Sequence, residues 1–123
     1  MDLGISGRTA AIAAGSAGLG LGAAKALAAD GVRVAICGRD AAKLAAAALA
    51  IGSDVVTLEA DLSAPNSGGE FVENATAALG RLDILVTNAG GPPPGTFENT
   101  DLDAYQAAFD MNCRSMIERC RAS

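Results

Sequence analysis

The sequence predicts an α/β fold, in which a doubly wound parallel sheet lies between two layers of helices. Short apolar runs alternate with helical stretches along its 123 residues, a pattern typical of parallel strands joined by helical crossovers. A glycine-rich turn separates the first apolar run from the first helical stretch. Gly31, Gly52 and Gly80 follow helical stretches, and glycine favours the left-handed conformation at a helix C-terminus. The length fits a single domain.

The first half of the chain predicts two strands and two helices. Residues 8–14, which are apolar from Ala10 onward, predict the first strand and enter the glycine-rich turn, and residues 19–29 follow as an alanine-rich helix. Residues 33–37 are rich in β-branched side chains, which favour a strand. The next helix covers residues 40–51, and Asp40 is a suitable N-cap for it.

The second half continues the alternation. Residues 54–60 predict the third strand, and Pro65 precedes a helix over residues 67–79, since proline is tolerated in a first turn. Residues 82–87 form a continuous apolar run typical of a strand buried on both faces. Residues 102–120 predict a last helix. The expected strand order is 3-2-1-4, which leaves strand four at an edge and places a ligand where strands one and four end.

The composition excludes several classes of function. The formal net charge is −5, which argues against a nucleic-acid partner because phosphate binding requires a cationic surface. The sequence has no histidine and no metal-ligand spacing, so no metal site is expected. Glycines and Lys25 interrupt the apolar stretch at residues 9–29, which therefore predicts neither a membrane span nor a targeting segment.

The number and spacing of the cysteines indicate the redox state of the compartment in which the protein is expected. There are three of them and no CxxC pair, which favours free thiols and a reducing, cytoplasmic location. Cys113 and Cys120 lie seven residues apart on the predicted last helix, and we expect both to be packing residues.

The glycine-rich turn is the leading candidate for a ligand site. Gly15, Gly18 and Gly20 lie between a predicted strand and a predicted helix, where backbone N–H groups and the helix N-terminus can face a pyrophosphate. Ser16 can add a hydroxyl contact. The alternative is a turn that only allows a helix to pack closely on a strand, and the turn alone does not exclude it.

Four motifs, in the same order along the chain, resemble those of the short-chain dehydrogenase/reductase family, in particular its 3-oxoacyl-reductase-like members. Residues 13–20 (AAGSAGLG) are similar to the family's TGxxxGxG motif, with Ala13-Ala14 in the place of its Thr-Gly. Asp61-Leu62 resembles the family's contact to the adenine ring. Asn88-Ala89-Gly90 resembles its NAG motif, and Asn112 its catalytic asparagine. The resemblance covers residues 7–112 and implies a three-layer, Rossmann-like sheet, truncated after about four strands.

The resemblance also implies a nicotinamide cofactor. The cofactor-binding residues that it implies are Ala14, Gly15, Ser16, Ala17, Gly18, Leu19, Gly20, Arg39, Asp61, Leu62, Asn88, Ala89 and Gly90. NAD-binding members carry an acidic residue where Gly38 stands here, so Arg39 is free to pair with a 2′-phosphate, and NADP(H) is expected over NAD(H). Each role has a plainer alternative: a solvated Arg39, a helix-capping Asp61, a loop Asn88 and a surface Asn112.

The family's catalytic tyrosine, with a lysine four residues later, has no counterpart here. The single tyrosine, Tyr105, has Phe109 four residues later. We therefore expect residues 1–123 to be an incomplete NADP(H)-binding domain, the N-terminal portion of an oxidoreductase acting on a carbonyl or alcohol, and inactive alone. Two alternatives remain open: a non-catalytic nucleotide-binding module completed by a partner or by self-association, and a folded remnant. The resemblance implies a homo-oligomer formed through the last helix.

Overall fold

The computed structural model describes residues 2–52, 54–89 and 95–123. In chain order its elements are β1 (Thr9–Ile12), α1 (Gly18–Ala29), β2 (Arg33–Gly38), α2 (Ala41–Ile51), β3 (Val56–Glu59), α3 (Ser67–Leu79), β4 (Ile84–Val86), α4 (Leu102–Phe109), a π-helical turn (Asp110–Arg114) and α5 (Ser115–Ala122). The strands form one parallel sheet with the order β3-β2-β1-β4. The predicted fold class and strand order are confirmed.

Alternation along β1 divides the core into two layers. Ala10 and Ile12 face a cluster that contains Ala24 of α1 and Leu44 of α2. Ala11 and Ala13 face the opposite side, where the side chains of α3 pack, among them Phe71 and Val72, and Ala122 of α5 joins them. The sheet therefore lies between α1 and α2 on one face and α3 and α5 on the other. Alanine on β1 allows both helical layers to approach the sheet closely.

Local chemistry explains where the helices begin and end. The Asp40 carboxylate accepts hydrogen bonds from Ala42 N at 2.8 Å and Lys43 N at 3.2 Å, which confirms it as the N-cap of α2. Gly80 closes α3 with φ of 86°, in the left-handed region that favours glycine.

Two expectations are wrong. The strand predicted over residues 82–87 is shorter, and its residues Ile84–Val86 are only partly buried, because β4 is the outermost strand of the described sheet and has a neighbour on one side only. Cys113 and Cys120 are exposed rather than packed, while Cys37 is buried in β2. Within the described ranges, no helix combines the length and the apolar character needed to cross a membrane.

Candidate functional site

A cavity of about 380 Å³ lies at the carboxyl ends of the strands. The turns that follow β1, β2, β3 and β4 supply most of its wall, and the π-helical turn supplies the remainder. The residues that line it are Ala14, Ser16, Ala17, Gly18, Leu19, Cys37, Gly38, Arg39, Ala60, Asp61, Leu62, Asn88, Ala89 and Met111. This is the edge at which parallel α/β sheets bind ligands.

The N-terminus of α1 forms one side of the cavity. Its N-cap residue, Ala17, is extended and makes no side-chain capping hydrogen bond, and the first turn carries no acidic residue. Gly18 has φ of 56°, and a Cβ added there would meet no atom within 4 Å. The first-turn N–H groups are therefore not used for capping, and the helix dipole favours an anion beside them.

Gly15 and Gly20 serve a different purpose from Gly18, since both lie under the turn against other parts of the protein. Gly15 N donates to the Cys37 carbonyl at 3.0 Å, and a Cβ at position 15 would lie 2.7 Å from Ile36 Cγ2. A Cβ at position 20 would overlap the Ala14 carbonyl. The close approach of the turn to β2 accounts for Gly15, and the close approach of α1 to the Ala14 carbonyl accounts for Gly20.

Ala14 adopts a conformation that suits glycine better. Its φ is 51°, in the left-handed region, although it carries a side chain. Its carbonyl accepts a hydrogen bond from Asn88 Nδ2 at 3.3 Å. Asn88 therefore ties the end of β4 to the turn that follows β1.

Asp61 stabilises the turn that follows β3 and also lines the cavity, and the alternative of a helix-capping Asp61 is wrong because the N-cap of α3 is Asn66. Its Oδ1 accepts hydrogen bonds from Ser63 N at 3.0 Å and from Ser63 Oγ at 2.6 Å. These bonds hold the pKa of the Asp61 carboxyl below its ordinary value, and the positive charge of Arg39 lowers it slightly further. Arg39 is exposed at the end of β2 and borders the same cavity.

The last helix approaches the cavity at its π-helical turn. Asn112 lies in that turn, and its Nδ2 donates to the Ala108 carbonyl at 2.9 Å. Its neighbour Met111 lines the cavity, whereas Asn112 itself does not. Asn112 thus satisfies a carbonyl of the distorted helix through its own side chain.

Two buried ionisable groups adjoin the cavity: Cys37 lines it, and Arg119 lies behind Asn88. Burial raises the pKa of the Cys37 thiol. Burial also lowers the pKa of the fully buried Arg119, although the neighbouring cysteines and Glu118 partly oppose that shift. Arg119 Nη1 donates to the Asn88 carbonyl at 2.8 Å.

The structure brings together most of the residues singled out in the sequence. Ten of the predicted cofactor residues line the cavity, Gly15 and Gly20 lie beneath it, and Gly90 falls outside the described residues. Sequence reasoning does not select Cys37, Ala60 or Met111. Cys37 and Ala60 lie at the ends of predicted strands, and that position could have identified them as cavity residues. No feature of the predicted last helix indicates that Met111 lines the cavity. The described part of the chain contains no cluster of three or more metal-ligating residues.

Comparison with known proteins identifies one family. Residues 8–123 match the family described as short chain dehydrogenase. A hydroxynaphthalene reductase of Aspergillus fumigatus is 32% identical over 117 residues, which cover 92% of this chain and 43% of that protein. The chain thus spans less than half of that relative's length.

Solved structures agree with this result. The L-sorbose reductase of Gluconobacter frateurii, complexed with NADPH and L-sorbose, superposes with a TM-score of 0.90 at 28% identity, covering 99% of this chain and 48% of that one. A 3-ketoacyl-(acyl-carrier-protein) reductase of Brucella melitensis, complexed with NADH, gives a TM-score of 0.85 at 30% identity, covering 95% of this chain and 48% of that one.

Proposed function

The chain belongs to the short-chain dehydrogenase family, and from this premise we propose that its residues form the cofactor-binding half of an oxidoreductase that exchanges hydride between NADP(H) and a carbonyl or alcohol. The observation that carries the proposal is the cavity itself, which combines an uncapped helix N-terminus with polar residues from the ends of four strands. When bound, the nicotinamide would supply the hydride chemistry. The residues described here would bind and orient the cofactor.

The binding role of each group follows from its position. The first-turn amides of α1, around Gly18, would donate to the pyrophosphate, since the turn has no acidic residue to repel it. Asp61 would accept from the adenine amino group, and Leu62 would contact the ring. Asn88 would tie neighbouring strand ends together and contact the adenosine ribose. The residues of the turn thus fit a dinucleotide diphosphate.

A preference for NADP(H) rests on Arg39 and on the residue before it. Gly38 ends β2 without a carboxylate, so no negative charge at that position opposes a 2′-phosphate. Arg39 borders the cavity, and a guanidinium pairs with phosphate through two parallel hydrogen bonds. Among the related structures, the L-sorbose reductase is complexed with NADPH and the Brucella reductase with NADH, so the family alone does not fix the preference.

The preference is tested by titrating NADPH and NADH into the wild type and into Arg39→Asp. We expect the wild type to bind NADPH more tightly, and Arg39→Asp to weaken NADPH at least about tenfold while affecting NADH much less. Arg8→Asp makes the same charge change before β1, at the opposite end of the sheet, and should leave both affinities unchanged. Equal affinities of the wild type for the two cofactors would remove the argument.

We further propose that this 123-residue chain has no reductase turnover. An unperturbed tyrosine needs a nearby cation to ionise near neutral pH, and Tyr105 has Phe109 in the position where the family has lysine. The assay is carbonyl-dependent oxidation of NADPH by material of verified mass. Measurable turnover would refute this proposal.

A second candidate function is a nucleotide-binding module completed by association. It is favoured by β4, an edge strand whose residues are only partly buried, and by exposed apolar side chains on the last helix, including Phe109 and Ile117. Self-association of the 12.1 kDa chain, measured by sedimentation with and without NADPH, would support the module. A catalytic Tyr-x-x-x-Lys in the downstream reading frame would support the reductase half instead.

A further inference from the structure

Arg119 is a charged side chain that the protein buries completely. None of its surface is exposed, and it lies where α5 packs beside α3: a Cβ added at Gly68 would lie 3.1 Å from Arg119 Cγ. In the described part of the chain it forms no salt bridge. A buried guanidinium without a carboxylate partner is costly to maintain, so this placement requires a reason.

One hydrogen bond connects Arg119 to the cavity. Its Nη1 donates to the Asn88 carbonyl at 2.8 Å, whereas Nε and Nη2 make no hydrogen bond to the described residues. Asn88 in turn donates through Nδ2 to the Ala14 carbonyl at 3.3 Å. Both Asn88 and Ala14 line the cavity, and Arg119 does not. A continuous chain of hydrogen bonds therefore runs from the last helix to the turn after β1.

We propose that Arg119 is a positioning residue for the nucleotide site, and that its guanidinium fixes the Asn88 carbonyl and thereby the wall that β4 contributes to the cavity. The inference rests on the proposed function, because a positioning role requires that the cavity binds a nucleotide. A charged donor makes a stronger hydrogen bond than a neutral one, and burial protects this bond from competition by water. The position of Asn88 is therefore set from both sides, by Arg119 and by Ala14.

A purely structural role predicts something different. Replacing a buried, unpaired charge by an apolar side chain of similar volume is often neutral or stabilising. If Arg119 acts by positioning Asn88, Arg119→Met should keep or raise the unfolding stability and at the same time weaken nucleotide binding. If Arg119 only fills space, stability and binding should change together or stay unchanged together.

The experiment measures NADPH affinity by fluorescence titration and stability by urea unfolding for four proteins: the wild type, Arg119→Met, Arg119→Lys and Arg121→Met. We expect Arg119→Met to bind NADPH about tenfold more weakly, a loss of about 1.4 kcal/mol, because a charged donor then no longer fixes the Asn88 carbonyl. Arg119→Lys keeps a charged donor and should recover part of the affinity. Arg121→Met removes the same charge from the exposed face of the same helix and should bind like the wild type.

A second measurement keeps this inference separate from the proposed function. The carbonyl carbon of Asn88, observed by NMR without any nucleotide, should shift upfield in Arg119→Met and move back in Arg119→Lys. If the wild type binds no NADPH, the proposed function fails. The NMR measurement then decides the positioning role by itself: an unchanged Asn88 resonance in Arg119→Met overturns that role, and a shifted resonance supports it. Wild-type NADPH affinity in Arg119→Met overturns the inference, as does a joint loss of affinity and stability that Arg119→Lys does not repair.

Discussion

Asn88 Nδ2 donates a hydrogen bond to the Ala14 carbonyl at 3.3 Å, joining the end of β4 to the turn that follows β1. The two residues are 74 positions apart in the sequence, and both line the cavity. This bond keeps the ends of β1 and β4 together at the point where the diphosphate would bind.

Replacing Asn88 by alanine should therefore weaken both the fold and the site. A hydrogen bond of this kind contributes about 1 kcal/mol net, so we expect Asn88→Ala to lower the free energy of unfolding by about that amount and to weaken NADPH binding. Urea unfolding and fluorescence titration measure the two effects. Asn74→Ala, on an exposed position of α3, is the control and should change neither by more than about 0.5 kcal/mol. A wild-type affinity in Asn88→Ala would contradict the role given to this bond.

Two glycines of α1 provide a matched pair of tests. A Cβ at Gly20 would overlap the Ala14 carbonyl and lie 2.9 Å from Asn88 Nδ2, whereas a Cβ at Gly22 would meet nothing within 4 Å. We expect Gly20→Ala to destabilise the protein by about 1–3 kcal/mol and to weaken nucleotide binding. Gly22→Ala should stabilise it by about 0.5–1 kcal/mol, because alanine is the better helix former. Thermal unfolding of the two variants decides this, and equal midpoints would show that the close approach at Gly20 is not present in solution.

The left-handed backbone conformation of Ala14 indicates that a substitution at this position can stabilise the protein. Its φ of 51° is unfavourable for a residue with a Cβ, at a cost of about 1–2 kcal/mol. Ala14→Gly removes this cost but gives the unfolded chain more freedom, so we expect a net gain of up to about 1 kcal/mol. The control, Ala45→Gly on the exposed face of α2, should lose about 1 kcal/mol. Chemical denaturation of both variants tests the pair; equal losses would mean that Ala14 is not left-handed in solution.

The lowered pKa of Asp61 means that its contribution to the free energy of unfolding depends on pH. The Ser63 hydrogen bonds hold the pKa of the Asp61 carboxyl below its ordinary value. A carboxyl with a depressed pKa in the folded state contributes stability above its unfolded pKa of about 3.9 and loses that contribution as the pH falls through the folded value. The stability difference between wild type and Asp61→Asn should therefore be largest near neutral pH and should shrink in acid.

The check is a series of urea unfolding curves from neutral to acidic pH. Ser63→Ala removes the hydroxyl that donates to Asp61, so this variant should show a flatter dependence than the wild type. A difference between wild type and Asp61→Asn that grows as the pH falls would have the wrong sign and would refute the assignment.

The strands and helices could be predicted because they depend on short-range signals, whereas the strand order followed from the doubly wound fold class and most of the cavity residues from the resemblance to a known family. Strand alternation, Asp40 at an N-cap and the glycines after helices are all visible in consecutive residues. The apolar character of Ile84–Val86 alone misjudges the burial of β4, which depends on neighbouring strands; the predicted strand order, with β4 at an edge, is the better guide.

The remaining features depend on long-range packing. Nothing near Arg119 in the sequence indicates that its guanidinium is buried against Asn88, 31 positions earlier. The sequence also does not distinguish the structural roles of Gly15, Gly18 and Gly20. All three fit the same motif, and only the neighbours of each Cβ position separate the two packing glycines from the one beside the cavity.

The most direct test follows the backbone amides of Ala17, Gly18 and Leu19 by NMR while NADPH is added to the 123-residue chain. We predict that these resonances shift together and saturate, and that the shifts are lost in Gly20→Ala and kept in Gly22→Ala. Saturable shifts confined to another part of the molecule, or no saturation at millimolar NADPH, would contradict the assignment of this turn as a diphosphate site.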